Sequence, residues 1–344
     1  MNRLLVLFGG DSPEREISLR SGQAVATTLR KMGHSVVTAD LSYAYERGTP
    51  SPPSESDLKG TPKDLPRFLQ SVQPDVVFPI FHGGYGEDGT LQALLELWDV
   101  PYASPPPIAC FLSMDKIHFK RLLTAEGIST PAYIVVEKSQ WQLSGESVYD
   151  QVRQFPGFPC VVKPSRQGST IGASVVEDDS FSVLQEALAQ AFEYDDQVLV
   201  EKKIVGTEVT IGVLGSGSHL RPLPPVEIIP LTPFFDYQTK YTPHLAKHRV
   251  PPDLPSETIA SAVETAVKVH RLLSCRGVTR TDMICDRSGR LFVLELNAIP
   301  GMTEVSIVPE MARHAGIGFE GLLEAMLKEA LQVAKEKTLR GGYR

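Results

Sequence analysis

The sequence predicts an α/β protein of more than one domain, and three observations carry that reading. Apolar runs of strand length alternate with amphipathic runs of helix length through the N-terminal third, the pattern of a parallel sheet. A Gly/Ser-rich stretch, PSRQGSTIG at 164–172, joins two apolar runs instead of a strand and a helix. Further on, Val278–Cys285 and Arg290–Asn297 are apolar-rich runs separated by Asp-Arg-Ser-Gly, a composition that makes a tight turn. With 344 residues, of which 42% are hydrophobic and 22% charged, the chain has length for two or three domains and an ordinary globular core.

Charge and cysteine usage narrow the function classes. A net charge of −7 gives no basic footprint for nucleic acid or an anionic membrane, so a bound phosphate must meet local positive charge. Cys110, Cys160, Cys275 and Cys285 lie apart, without zinc spacing, and read as buried reduced thiols. Leu4–Phe8 is too short for a signal-peptide core, and no apolar run approaches a membrane span. A cytoplasmic protein is expected.

Taken in order, Leu4–Phe8 is a bounded strand, and Gly9-Gly10 turns it into an amphipathic helix. A strand at Ser35–Ala39, a helix near Leu65–Val72, a strand at Asp75–Phe81, the loop HGGYGEDG and a helix at Thr90–Leu97 continue the alternation. Ligand groups then belong at the strand C-termini. The Gly9-Gly10 turn lacks GxGxxG spacing, which argues against a dinucleotide site. The Pro/Ser-rich segment GTPSPPSESDLKGTP reads as a surface loop.

After PYASPPP, a domain boundary, SMDK caps a helix running to Gly127. Strands are expected at Tyr133–Val136, Cys160–Lys163, Ala173–Val176 and Val198–Lys202, with a helix near Ser180–Phe192. The loop at 164–172 is not a Walker A loop, which would lead into a helix and carry its Lys within GKS or GKT. Preceded by Lys163, its amides and hydroxyls are still able to cover phosphates. Strands at Glu208–Leu214 and Leu223–Ile229 precede PLTPFFDYQTKYTPHLAKHRVPPDLP, which shows neither helical nor strand period and reads as a long functional lid. A helix at Ser256–Leu273 leads into the hairpin, and an amphipathic helix follows Phe319.

In the hairpin, a two-residue turn centred between Arg287 and Ser288 sets Asp282 opposite Val293 and Arg280 opposite Glu295. Alternation then places Arg280, Asp282, Glu295 and Asn297 on one face, and Phe292, Leu294 and Leu296 on a core face. Two carboxylates, an amide and a guanidinium on adjacent strands are able to hold Mg²⁺ that keeps water and phosphate oxygens, with the arginine left for an anion. Ordinary cross-strand ion pairs give the same pattern at less cost in hypothesis, so the other motifs decide.

Those motifs are GGDSPEREISLRSG, HGGYGEDGTLQALLEL, SMDK, VVKPSRQGSTIG, FDYQTKY, and RTDM with LELNAIPGMTEVSIVP. In this order they closely resemble the D-alanine–D-alanine ligases of the ATP-grasp superfamily. The resemblance implies three domains: an N-terminal α/β domain at 1–108, a central one at 109–203 and a C-terminal one at 204–344, with ATP held between the last two. It implies that Lys116 and Lys163 meet phosphates, Ser169 and its loop cover them, the strand Glu201–Ile204 with Lys202 meets adenine, Glu208 takes the ribose, and Lys240 of the lid belongs to the ATP-binding set. Asp282, Glu295 and Asn297 match ligands of two Mg²⁺ ions, with Mn²⁺ as a substitute.

Glu14 and His82 match groups holding the first D-alanine, and Arg280, Gly301, Ser306 and Ile307 match groups around the transferring oxygens and the second D-alanine. Tyr241 stands where relatives that use D-lactate tend to carry His, so the resemblance implies a dipeptide product, with Tyr241 closing a lid toward Ser169 and Glu14. Small-molecule partners, D-alanine and ATP, and a homodimeric state are implied, without nucleic acid or membrane. Two departures stand out: Ala298 replaces a common Thr and Gln167 a common Glu, and neither carries an assigned chemical step. A carboxylate–amine ligase with another acceptor is the nearest alternative.

Overall fold

The fold is given by a computed structural model, which describes residues 1–231 and 246–339. Three sheets organise it. The first is parallel, in the order β3-β2-β1-β4, from β1 (Arg3–Gly9), β2 (Ser35–Leu41), β3 (Leu58–Gly60) and β4 (Val76–Pro79). Helices α1 (Arg15–Lys31), α2 (Leu65–Val72) and α3 (Thr90–Leu97) connect and cover it. A strand covered on both faces must be apolar throughout. Accordingly Leu4, Val6 and Phe8 enter one core cluster while Leu5 and Leu7 enter another. The Pro/Ser-rich segment is a loop except at its end, where β3 adds three residues to the sheet edge, too few to show a period.

The second sheet is antiparallel, ordered β5-β8-β6-β7, from β5 (Tyr133–Glu137), β6 (Cys160–Pro164), β7 (Ser174–Val176) and β8 (Gln197–Lys202). Before it come α4 (Pro107–Met114) and α5 (Lys116–Ala125). The Pro-rich boundary therefore runs straight into a helix, with Pro at its first position where no amide partner is needed. Within SMDK the cap is Asp115, whose side chain accepts from the amides of Ile117 and His118, and Ser113 ends up inside α4. Helices α6 (Lys138–Gln154), unexpected from the sequence, and α7 (Phe181–Ala191) pack on the sheet around Val148, Val152, Leu184 and Leu188. The expected strand Glu201–Ile204 ends at Lys202.

The third sheet runs β12-β11-β9-β13-β14, antiparallel, with β10 on β9. Its strands are β9 (Gly206–Leu214), β10 (Arg221–Pro222), β11 (Val226–Pro230), β12 (Ala246–Arg249), β13 (Val278–Asp286) and β14 (Leu291–Asn297). The long lid segment thus contains a strand, β12, which pairs with β11 although Ala-Lys-His-Arg has no apolar alternation; three of its four residues are exposed on this edge. The expected lid residues Lys240 and Tyr241 lie outside the described residues. Helices α8 (Ser256–Leu272), α9 (Ile307–His314) and α10 (Phe319–Leu339) complete the fold. Leu322, Leu323, Met326 and Leu327 of α10 share the core cluster of Leu4, Val6 and Phe8, so the C-terminal helix covers the N-terminal sheet.

The hairpin departs from its expected register. Arg280 pairs with Asn297 and Asp282 with Glu295, whereas Met283 pairs with Val293 and Ile284 with Phe292. Leu294 is the extra residue of a β-bulge, and a bulge reverses the alternation beyond it. Val293 and Leu296 therefore enter the core, while Phe292 and Leu294, expected there, are only half-buried. The four polar side chains keep a common face because all lie on the far side of the bulge from the turn.

Candidate active site

Two cavities meet where the three sheets converge. The larger, about 440 Å³, is lined from the second sheet by Lys163, Glu201 and Lys202, with Ile204 and Glu208 beyond them. Lys116 at the start of α5 and Asp282 and Glu295 from the hairpin form its far wall. Val161, Val175, Ile284 and Leu294 supply the apolar lining, and a volume of this size accommodates a nucleotide. The smaller cleft is lined by Glu14, His82, Glu87, Ser169, Arg280, Asn297 and Gly301 among others. Lys116 and Glu295 line both, so a cation and a carboxylate stand at the junction.

The N-terminal sheet presents Glu14 and His82 from loops following β1 and β4, at the strand C-termini. The first loop begins with Gly9 at φ +103°, where a Cβ would meet the buried Asp40 carboxylate that Arg15 grips through both its terminal nitrogens. Behind the cleft, His82 Nε2 lies 3.3 Å from Ser21 Oγ.

Over the junction runs the Gly/Ser loop. Ser169 and Thr170 both adopt left-handed backbone, at φ +49° and +63°, a strained conformation for side-chain-bearing residues that concentrates at functional sites. Ser169 Oγ donates to Glu14, a contact that ties residues far apart in sequence. Gly168 leaves room for it, since a Cβ there would lie 2.7 Å from Glu14 Oε2. The carbonyl of Gln167 accepts from Lys116 Nζ at 2.5 Å, fixing the loop to α5. Because a backbone oxygen makes that bond, it does not depend on the Gln167 side chain.

On the hairpin, Arg280 holds Asp282 through two hydrogen bonds of 2.8 Å, and Asp282 also accepts from Thr210 Oγ1 and from Asn297 Nδ2 at 3.0 Å. Glu295 sits at the register position opposite Asp282, with Lys116 Nζ 3.8 Å from its carboxylate. Among the described residues no three His, Cys, Asp or Glu side chains cluster as a metal cage. Two carboxylates and an amide with no nitrogen or sulfur ligand suit a hard ion such as Mg²⁺, which takes its remaining ligands from phosphate and water.

Glu201, buried on the cavity wall, pairs with both Lys120 and Lys163. Burial alone would push its carboxyl up, but the two ammonium groups outweigh that and hold it well below the usual range. Lys120 escaped the sequence reading. It is fully buried and four residues from Lys116 on α5, a spacing that places both on one helix face and was the available signal. Glu87 of the GEDG loop was also passed over, and it accepts from the Gly83 amide at 2.7 Å.

Ser306 and Ile307 line neither cavity. Ser306 stands at the N-terminal boundary of α9 beside Gly301, where its Oγ bonds to Thr303 and makes no capping bond to the helix. The four cysteines are buried thiols without disulfides, and burial pushes Cys160 and Cys275 up to about 12, which suits packing and not nucleophilic chemistry. No described helix is long and apolar enough to cross a membrane.

Comparison with known proteins places this geometry. A family model described as D-ala D-ala ligase N-terminus matches residues 3–105, and one described as D-ala D-ala ligase C-terminus matches 122–328. The D-alanine–D-alanine ligase of Moorella thermoacetica is 38% identical over 330 residues, covering 96% of this chain and 99% of that protein. The crystal structure of the D-alanine–D-alanine ligase from Bacillus anthracis superposes with a TM-score of 0.78 at 29% identity, over 98% of this chain and all of that one. The same enzyme complexed with ATP gives a TM-score of 0.77 at 27% identity, over the same shares. Matched by both halves of the family in order, and by a relative over nearly its whole length, the chain belongs to the D-alanine–D-alanine ligase family.

Proposed function

We propose that this protein joins two D-alanines into D-alanyl-D-alanine at the expense of ATP, releasing ADP and phosphate, as a step of peptidoglycan precursor synthesis in the cytoplasm. The observation that carries the reading is the junction. A nucleotide-sized cavity and a small polar cleft share Lys116 and Glu295, so a phosphoryl group and a carboxylate substrate meet there. Domain boundaries near residues 108 and 203 and a homodimeric state belong to the same proposal.

A carboxylate does not acylate an amine at neutral pH, so its oxygen must first take a phosphoryl group. Glu14 and His82 hold the first D-alanine by its ammonium and carboxylate in the small cleft. Lys116 and Lys163 hold the nucleotide phosphates on the other side, and the loop carrying Ser169 closes over them through its bond to Glu14. Asp282, Glu295 and Asn297 would hold Mg²⁺, two ions in this reading and replaceable by Mn²⁺, which when bound supplies charge neutralisation on the phosphate oxygens. Lys202 and Ile204, lining the nucleotide cavity, meet the adenine, and Glu208 the ribose.

The carboxylate oxygen of the first D-alanine displaces ADP from the γ-phosphorus. The neutral amine of the second D-alanine then attacks the acyl carbon, and phosphate leaves. Arg280 and the backbone amide of Gly301 donate to the tetrahedral oxyanion, and Ser306 and Ile307 support the second substrate from the start of α9. Exclusion of water by Tyr241 and Lys240 completes the proposal, because an acyl phosphate hydrolyses readily.

The test is ADP release with Mg²⁺ATP and D-alanine, L-alanine, D-serine or D-lactate, with the product identified by mass. D-alanine alone should support rapid release and give the dipeptide, and D-lactate should be a poor acceptor at pH 7 to 8. ADP release without need of D-alanine would defeat the reading. Equal rates with D-lactate and D-alanine as acceptor would defeat only the assignment to Tyr241.

A further inference from the structure

Lys120 does not line either cavity, yet it is fully buried directly behind the nucleotide-side wall. Its ammonium donates to Thr130 Oγ1 at 2.7 Å and to the Pro131 carbonyl at 3.2 Å. It lies 5.1 Å from the centre of the Tyr133 ring. Glu201 Oε2 is 2.7 Å away, a close ion pair. The other oxygen of Glu201 is taken by Lys163, which does line the cavity. One buried carboxylate thus has two lysines, one enclosed and one facing the ligand.

We propose that Lys120 is a positioning residue: the fixed counter-ion of Glu201 that lets Lys163 leave this carboxylate for the phosphates of an incoming nucleotide. The reason is electrostatic. Removing the sole partner of a buried charge leaves that charge uncompensated, which is strongly unfavourable, so a single Lys163–Glu201 pair would resist phosphate binding. With Lys120 held by Thr130, Pro131 and the Tyr133 ring, Glu201 keeps a cation whichever way Lys163 turns. Burial pulls the Lys120 ammonium down to about 8, which still leaves it charged at neutral pH. The proposal rests on the nucleotide reading above.

Calorimetric binding of ADP and of adenosine to the intact protein, with and without Mg²⁺, separates the possibilities. Lys120→Met keeps length and removes charge. ADP affinity should then fall about tenfold or more while adenosine affinity changes by less than about threefold, because only ADP needs Lys163 released. In the double variant Lys120→Met, Glu201→Gln the carboxylate that traps Lys163 is gone, so the ratio of ADP to adenosine affinity, in which any loss at the adenine contact cancels, should return to within about threefold of wild type. A merely structural lysine would lower the melting temperature and weaken both ligands alike, with no recovery in the double variant, and that result overturns the proposal. So does unchanged ADP affinity in Lys120→Met. If the single variant does not fold, the double variant decides: folding with wild-type preference for ADP over adenosine supports the proposal, and failure to fold or loss of that preference overturns it. Wild-type protein that binds no ADP overturns the nucleotide reading itself, whereas wild-type binding with an unaffected Lys120→Met overturns only this step.

Discussion

Glu295 stands at the junction of the two cavities with one-quarter of its side chain exposed, and Lys116 Nζ is 3.8 Å from its carboxylate. A contact of that length at a partly exposed carboxylate contributes little to folding, and the role proposed for this carboxylate is to hold Mg²⁺. Glu295→Gln should therefore reduce Mg²⁺-dependent turnover on the order of a hundredfold or more while leaving the melting temperature within a degree or so. Near-normal turnover of the purified variant would remove Glu295 from the metal set. Gly168 offers a second test at this scale. A Cβ there would stand 2.7 Å from Glu14 Oε2, so Gly168→Ala should displace the carboxylate proposed to hold the substrate ammonium. Apparent D-alanine affinity should fall about tenfold, roughly the loss of one charge-assisted hydrogen bond, with ADP affinity unchanged. Equal weakening of both ligands would place the damage in the loop as a whole.

Short motifs are well matched to elements that start abruptly. Helix α5 begins at Lys116 because Asp115 caps it, accepting from two amides and from Ser165 Oγ. Burial pushes the Asp115 carboxyl up, but the bonds from His118 and Ser165 prevail and lower it, keeping the cap ionised. Asp115→Ala should cost about 1–2 kcal/mol in urea unfolding and weaken ADP binding, since the same cap sets the direction of Lys116. Loss of stability with no change in ADP affinity would show that Lys116 is aimed by Gln167 alone. The β-bulge at Leu294 is the opposite case. Nothing in LELN marks an extra residue, because Leu and Val suit either face, and only the pairing of Met283 with Val293 shows where the alternation reverses. Strand β12 was equally hidden, since its ladder to β11 is backbone bonding at an exposed edge.

At the scale of the molecule, stability joins segments remote in sequence. Leu323, with no exposure, packs from α10 into the cluster of Leu4, Val6 and Phe8. Leu323→Ala should lower the unfolding free energy by about 2–5 kcal/mol and loosen the N-terminal sheet that carries Glu14 and His82. His270 sets a pH dependence. It is buried between Thr279 Oγ1 at 2.7 Å and the Gly215 carbonyl at 3.0 Å, and burial pulls its pKa down to about 4. From pH 6.5 down to about 4 the unfolded chain gains a proton on this residue that the folded chain refuses, so stability falls with pH across that window. Denaturant midpoints should drop accordingly, and His270→Gln should flatten that part of the curve. An unchanged slope in the variant would assign the acid sensitivity to other groups.

By itself the sequence determined the class of fold, the order of its elements in the N-terminal sheet and the family. Those properties are written in local patterns: strand and helix periods, turn glycines, and motifs whose spacing holds within a few residues. It also indicated that Arg280, Asp282, Glu295 and Asn297 share a face, because alternation survives on the side of the hairpin away from the bulge. Only the tertiary structure decided that Lys116 and Glu295 line both cavities, that Phe292 and Leu294 turn from the core, and that α10 covers the first sheet. It alone placed Lys120 behind Glu201, which lies 81 positions along the chain from it. A buried lysine reads in sequence like any solvated one, since what decides its role is the carboxylate that folding brings to it, and no local pattern records that encounter.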